Sequence, residues 1–442
     1  MNILNRTALV AATALSLTAC DSLLERDPQG DLSSDIIFND VTGAEAAIIG
    51  AYNRVQGPMD DFVIMSEISA DYATPTGSFP SWYQVDSHNI PTGNAEVIGQ
   101  WSGWYALINQ TNIILENVAN AEGITQARVD QITGEALAMR AYAYHNLARW
   151  FGGVPLITQG AVNINEVDSE RASLEATYAF ILEDLDRAED LVADARPVGF
   201  IDTDVVLAMR ARVLLYDGQY DAAAAIAAEL YDRYPLVSLE ALYDGLNSSE
   251  SIWELQYNVD DGNSMSFFAF VTGGRREYGP TPQAAAAFDS SGTRIGYNLG
   301  TDSDRPIIVK YFRVNTDDDH HFLFRGAEMA LIEAEVAARN GNAAEAVAIV
   351  NEIRTRAGDP LVGERDGDDA DGDGRISADE AFDLVIFERG RELAYEGHRW
   401  HDLVRIGEAV ARLELASVND TLWPIPQAEI ERNSLIVQNP GY

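Results

Sequence analysis

Residues 211–235, ARVLLYDGQYDAAAAIAAELYDRYP, constrain this chain more than any other stretch, because they read as two helices folded back on one another. Gly218 falls at the turn, Tyr220 follows two residues on, Ala223 sits where the helices would cross, and Pro235 ends the second helix. A small residue at the crossing lets the axes approach, and proline stops a helix by removing a backbone donor. Residues 329–360 repeat the spacing more weakly. There Ala334, Gly341 and Ala346 keep the small positions, while Ala343 replaces the aromatic. Residues 132–157 read as a third, divergent copy. Helical periodicity also marks 44–55, 101–118, 172–193 and 204–215. A chain patterned this way buries its apolar faces by packing one helix pair on the next.

The offsets are similar to those of the tetratricopeptide unit. One good copy and two weak ones support helix pairs without requiring a regular solenoid. The fold class expected is mostly α, with tetratricopeptide-like helix pairs packed against an irregular, loop-rich region with minor β. Two stretches break the helical rule. Residues 72–100 carry Pro75, Pro80, Pro91 and several glycines. Residues 251–300 open with IWELQYN, which predicts a strand, and continue in loops rich in glycine and aromatics. Both read as excursions from a single helical domain over 36–442, and loops on a rigid scaffold are where binding residues usually sit.

Charge narrows the partners. The chain has 30 basic and 70 acidic residues, a net −40, so its surface repels nucleic acid. Lys310 is the single lysine. Such a surface suits a salty habitat, where ions screen self-repulsion, and a GC-rich genome that exchanges lysine for arginine gives the same composition. The single cysteine, Cys20, allows no intrachain disulfide. It follows a leader over 1–19 with Arg6, an apolar run and small residues, which reads as a secretory signal. Leu17-Thr18-Ala19-Cys20 resembles a bacterial lipobox. Cleavage would leave a lipidated Cys20 first, followed by a polar tether over 20–35.

The sharpest local motif is DADGDGRISADE at 369–380, which fits the twelve-residue EF-hand calcium loop. Asp369, Asp371 and Asp373 supply side-chain oxygens, and Gly374 permits the sharp turn. Arg375 offers its carbonyl, Ser377 holds a water, and Glu380 closes the site with both oxygens. No clear helix precedes it, so a lone structural calcium brace is expected rather than a paired sensor. The bland alternative is a solvated acidic loop.

Other constellations are weaker. His398 and His401, beside Glu396 and Asp402, lack a spaced third zinc ligand and read as packing residues. His320 and His321 follow three aspartates and read as a solvated turn. Glu388 with Arg391, Arg399 with Asp402, and Asp402 with Arg405 are spaced for helix-face ion pairs. Arg140 reads as the brace of a turn. Seventy acids generate many accidental carboxylate pairs, so a glycosidase pair has no specific signal. Sugar recognition wants exposed aromatic faces with amides and charges beside them. One loop offers Phe79, Trp82 and Tyr83, with Gln84 and Asn89; a second offers Phe267, Phe268 and Tyr278, with Arg275 and Arg276. Phe79, Trp82, Tyr83 and Tyr278 are the ligand-contact candidates, Trp82 foremost. The competing reading is that these aromatics pin the loops to the scaffold.

Taken in order, the pieces resemble the SusD/RagB family of outer-membrane nutrient-binding lipoproteins. They are GAYNRVQ at 50–56, the spacing Trp101, Tyr105, Ile108, Asn112, and the arginine helix running into Gly-Val-Pro-Leu at 134–157. ESIWELQYN at 250–258, the helix pair at 327–358, and a tail from ERGRELAYEGHRWHDLVRIG to QNPGY at 388–442 complete the set. The resemblance covers about 28–442. It implies a lipid-anchored cell-surface protein of the outer membrane, partnered with a TonB-dependent (SusC-like) transporter, that captures oligosaccharide and breaks no bond. A peptide or other nutrient is the alternative ligand within the family. A secreted carbohydrate hydrolase is the alternative class, and a pure interaction scaffold is a third. The family's ligand contacts lie in variable loops, so none is carried over by motif.

Overall fold

The computed structural model describes residues 37–160, 169–289, 292–365 and 367–442. The leader, Cys20 and the whole tether to residue 35 lie outside the described residues. Helices α1 (Val41–Gln56) and α2 (Met59–Ile68) lead into a three-residue strand, β1 (Ala73–Pro75). Then come α3 (Pro80–Asp86), α4 (Ala95–Asn117) and α5 (Gln126–Phe151). Asp40, Asn94 and Thr125 cap the first turns of α1, α4 and α5 through side-chain oxygens. Helix α5 stops at Gly152, whose φ of +74° a side chain would strain. It is buried along most of its length, as a central scaffold helix must be.

Helix pairs follow. Helix α6 (Leu174–Glu189) packs on α5, and α7 (Thr203–Tyr216) turns at Gly218 into α8 (Tyr220–Arg233). After the loop-rich stretch, α9 (Gly326–Arg339) turns at Gly341 into α10 (Ala343–Ala357), with α11 (Ala378–Glu392) and the short α12 (Arg399–Arg405) behind them. Gly218 and Gly341 adopt φ of +78° and +84°, so both expected turn glycines occupy the conformation that favours glycine. Ala223, Ala334 and Ala346 are fully buried at the helix crossings. Helix pairs and minor β are what the pattern dictated.

The strands form three two-stranded antiparallel sheets. Strand β2 (Ser251–Leu255) pairs with β6 (His321–Arg325), and every residue of both is buried. Strand β1 pairs with β3 (Tyr278–Pro280), and β4 (Leu299–Asp302) pairs with β5 (Arg305–Ile308) through a tight turn at Ser303 and Asp304. Both residues of that turn have positive φ, as a two-residue hairpin requires. Among the described residues no helix is long and apolar enough to cross a membrane.

The first departure from expectation is His320–His321. These residues do not form a solvated turn: His321 begins β6 and lies 3.0 Å from Asp60, and His320 meets Glu254 at 3.0 Å. The aspartate run had suggested solvent. Pairing of β6 with the buried β2 draws the histidines inside instead. The second departure is Arg399, which pairs with Asp71 at 2.7 Å and not with Asp402. Its spacing allowed the local pair, but Asp402 is taken by Arg389 at 2.7 Å and Arg405 at 2.9 Å.

Candidate functional site

The two excursions meet. Register Ala73↔Pro280 to Pro75↔Tyr278 joins them, and prolines are tolerated here because the sheet is only two strands wide. Beyond the strands the backbone N–H groups of Thr76 and Gly77 donate to the Glu277 carbonyl, and Thr76 Oγ1 donates to the Arg276 carbonyl at 2.9 Å. These partners are 200 residues apart in sequence. Ser78 donates its N–H to the Glu277 carboxylate at 2.5 Å, closing the seam. The C-terminal segment forms its floor: Arg399 holds Asp71, and the Tyr395 hydroxyl donates to the Tyr72 carbonyl at 3.3 Å.

Within the seam the aromatics divide. Residues 80–86 form helix α3 rather than loop, because Pro80 stands at the first helical position, where its missing N–H costs nothing. Trp82 is only 3% exposed, edge-on to Phe268 at 5.6 Å and to Tyr278 at 6.2 Å. Tyr278 is 1% exposed. Neither presents a face to a ligand in this structure. They pin the two excursions together, which corrects the expectation of a Trp82 exposed in an unpatterned loop. Tyr83, on the next position of α3, is 44% exposed and donates to the Gly77 carbonyl at 3.1 Å. Phe79 is half-buried, with the Arg275 guanidinium 5.0 Å over its ring. Arg275 also pairs with Glu277 at 2.6 Å and donates to Ser78 Oγ at 3.1 Å. The surface at the seam therefore offers Tyr83, Phe79, Arg275 and Ser78.

Two concavities flank α4 and share Ala106. One, of about 260 Å³, is lined by Trp101, Tyr105, Pro155, Ile157 and the tail residues Arg432 and Ile436. The other, about 630 Å³, has Asn53, Arg54, Asp61 and Gln110 around glycines. Burial pushes the Asp61 carboxyl up to about 7, helped by Glu96 and Asp60. Glu96 accepts from Ser81 of α3 at 2.7 Å, so this groove adjoins the seam. Sequence reasoning missed Asp61, because nothing local distinguishes it among so many acids.

The remaining marked residues are structural. Arg140 forks onto Asp184 at 2.7 Å and donates to Asn112 at 2.7 Å, and Asn112 donates to the carbonyls of Ile157 and Gln159. It braces the turn after α5, as its helix suggested. His398 and His401 are buried, and burial holds both well below the ordinary imidazole range. His401 stacks on Phe62 at 5.1 Å. Glu388 pairs with Arg391 at 3.3 Å and Asp402 with Arg405, but both pairs are buried rather than solvated. The first joins, through Arg294, an internal ionic cluster in which Arg325 bridges Glu250, Glu392 and Glu396, while the second joins Arg389 and Glu335. The tail docks through Trp423, stacked on Trp150 at 3.9 Å, and through Asn439, which donates to the carbonyls of Phe151 and Trp423.

In the 369–380 loop the carboxylate oxygens of Asp369, Asp371 and Asp373 lie within 4.8 Å of one another. Backbone N–H groups of Gly372 and Gly374 donate to Asp369, and Gly374 has φ of +84°. Asp371 accepts from the N–H of Asp373, and Asp373 from that of Arg375. Glu380 accepts from Ala370 and from Ser377, and Ser377 and Glu380 form the capping box of α11. The Ser377 donors, then Ala370, hold the Glu380 carboxyl below its ordinary value. Each oxygen keeps a further lone pair, so the donor set fits a hard cation.

Helix pairs that carry two long excursions, joined at one seam and floored by the C-terminal segment, define a SusD-like architecture. Sequence comparison agrees. A family model described as starch-binding, associating with the outer membrane, matches residues 24–215, and the SusD family model matches 271–421. A SusD-like protein of Formosa agariphila is 26% identical over 99% of this chain and 98% of its own. A second from the same organism is 25% identical over 97% and 98%. Among solved structures, a laminarin binding SusD-like protein superposes with a TM-score of 0.78, covering 92% of this chain and 100% of its own at 22% identity. A SusD superfamily protein from Bacteroides vulgatus gives 0.81 at 19% identity, covering 92% and 100%. The chain belongs to the SusD/RagB family.

Proposed function

We propose that this protein captures glycan at the cell surface and passes it, without breaking a bond, to a TonB-dependent outer-membrane transporter. The observation that carries the reading is the seam. Two excursions far apart in sequence are locked side by side, leaving the Tyr83 ring exposed beside the Arg275–Ser78 polar edge. An exposed aromatic beside hydrogen-bonding groups is what a pyranose ring needs. The laminarin binding SusD-like neighbour and another structural neighbour, a surface glycan-binding protein from Bacteroides fluxus, support the ligand class. Lipidation of Cys20 anchors the protein to the outer membrane in this reading, and Cys20→Ser releases it; retention of that variant in membranes would refute the anchor. Calcium bound by Asp369, Asp371, Asp373, the Arg375 carbonyl, Ser377 and Glu380 braces the start of α11 and has no catalytic part. Titration calorimetry with candidate oligosaccharides tests the capture step. Tyr83→Ala should weaken binding about threefold to tenfold, the range of one aromatic contact. Turnover of the glycan by the purified protein would overturn the non-catalytic reading.

A further inference from the structure

Most arginines among the described residues are matched to carboxylates, as a net charge of −40 makes easy. Arg276 and Arg305 are two of several exceptions, because neither forms an ion pair among the described residues. Both stand at the seam. From just before β3, the Arg276 guanidinium reaches β5 and donates to the Pro306 carbonyl at 2.9 Å, next to Arg305. Its Nε is buried without a hydrogen-bond partner. Its backbone has φ of +47°, a conformation that non-glycine residues resist and that is held here by the surrounding pairing. A Cβ at residue 279 would come within 2.9 Å of this guanidinium, so Gly279 leaves it room.

Two like charges are therefore held together on an otherwise anionic molecule. Burial first, and then the charge of Arg305, hold Arg276 below the ordinary guanidinium value. Two of the nearby acids are engaged in local structure. Glu277 is committed to Arg275 and Ser78. Asp302 accepts from the N–H groups of Val271 and Thr272 and from the Thr272 and Ser303 hydroxyls. Asp304 is exposed in the β4–β5 turn. Neutral hydroxyls do not require two guanidiniums that lack an ion pair. A carboxylate or sulfate does, because charge-assisted bidentate bonds to such groups are roughly twice as strong as neutral ones.

Resting on the glycan reading above, we propose that the ligand is an acidic glycan, a uronate- or sulfate-bearing oligosaccharide, whose anionic group seats between Arg276 and Arg305 with its sugar ring toward Tyr83. The overall negative charge does not forbid this. Screening acts over about 8 Å at physiological salt and about 3 Å at 1 M, so contact groups decide.

Calorimetry on the purified protein, with a neutral glucan, a polyuronate and a sulfated oligosaccharide at low and high salt, tests the proposal. The acidic ligands should bind at least tenfold more tightly than the neutral one and weaken as salt rises. Arg276→Gln and Arg305→Gln should each reduce acidic-ligand affinity about tenfold and leave neutral-ligand affinity unchanged. Arg305 is exposed and carries no ion pair, so its variant keeps the test valid if Arg276→Gln disturbs the fold. Neutral glucan bound as tightly as the acidic ligands, or acidic binding indifferent to both variants, overturns the inference and leaves glycan capture standing. Binding to none of the three overturns both.

Discussion

Trp82 and Tyr83 are neighbours on one turn of α3 and have opposite fates. Trp82 is packed among Phe79, Phe268 and Tyr278, while Tyr83 faces solvent. Their alanine variants should separate cleanly. Trp82→Ala should lower unfolding free energy by about 3–5 kcal/mol, the range for emptying a buried aromatic site. Tyr83→Ala should change stability by no more than about 0.5 kcal/mol while weakening glycan binding. Denaturant melts beside calorimetry check this, and a stable Trp82→Ala protein with lost affinity would reverse the roles. Glu67 gives a second test at this scale. Burial raises its carboxyl to about 8, with Arg399 opposing. Unfolded, it titrates near 4.5. Between these values the unfolded chain has released a proton that the folded protein keeps. Stability contributed at this site therefore falls as pH rises through the window and levels off above it. Glu67→Gln should remove a pH dependence on the order of a few kcal/mol, read from denaturant midpoints at pH 5 and pH 8. An unchanged slope would show that Glu67 does not titrate there.

At the scale of elements, the acidic loop at 369–380 and the helix pairs were the most legible parts. The loop's aspartates, glycine and cap are set by spacing within twelve residues, and the structure brings the carboxylates of Asp369, Asp371 and Asp373 within 4.8 Å of one another. It is also tied to the core. Asp368, one residue upstream, accepts from Arg354 at 3.1 Å, and Arg354 also donates to Glu388 on α11 at 3.1 Å. Calcium should therefore raise the melting temperature, and Asp369→Asn with Asp371→Asn should abolish most of that gain. Equal melting with calcium and with chelator would remove the brace. Helix α3 was less legible because Pro80 carries two meanings: it punctuates loops and it begins helices. The strand at 251–255 was readable from its apolar β-branched and aromatic character, but its partner β6 was hidden behind aspartates.

Across the whole molecule, charge is segregated. Lys310 and nine arginines lie inside among the described residues, as in the fully buried Lys310–Glu396 contact of 2.5 Å. Solvent therefore meets an excess of carboxylates. Surface self-repulsion is screened by salt, whereas the buried Arg325 cluster is shielded from it. The melting temperature should rise between 0.05 and 1 M NaCl, and a flat or falling trend would show that the surface charge does not limit stability. The sequence by itself determined the helix pairs, their turn glycines, the spacing of the 369–380 acidic loop and the family, because each depends on side chains close together along the chain. Only the tertiary structure decided that Trp82 is inside and Tyr83 outside, that Arg399 serves Asp71, and that Arg276 and Arg305 share one edge. Those outcomes rest on contacts between residues tens to hundreds of positions apart, and a local pattern carries no information about which distant surface will cover it.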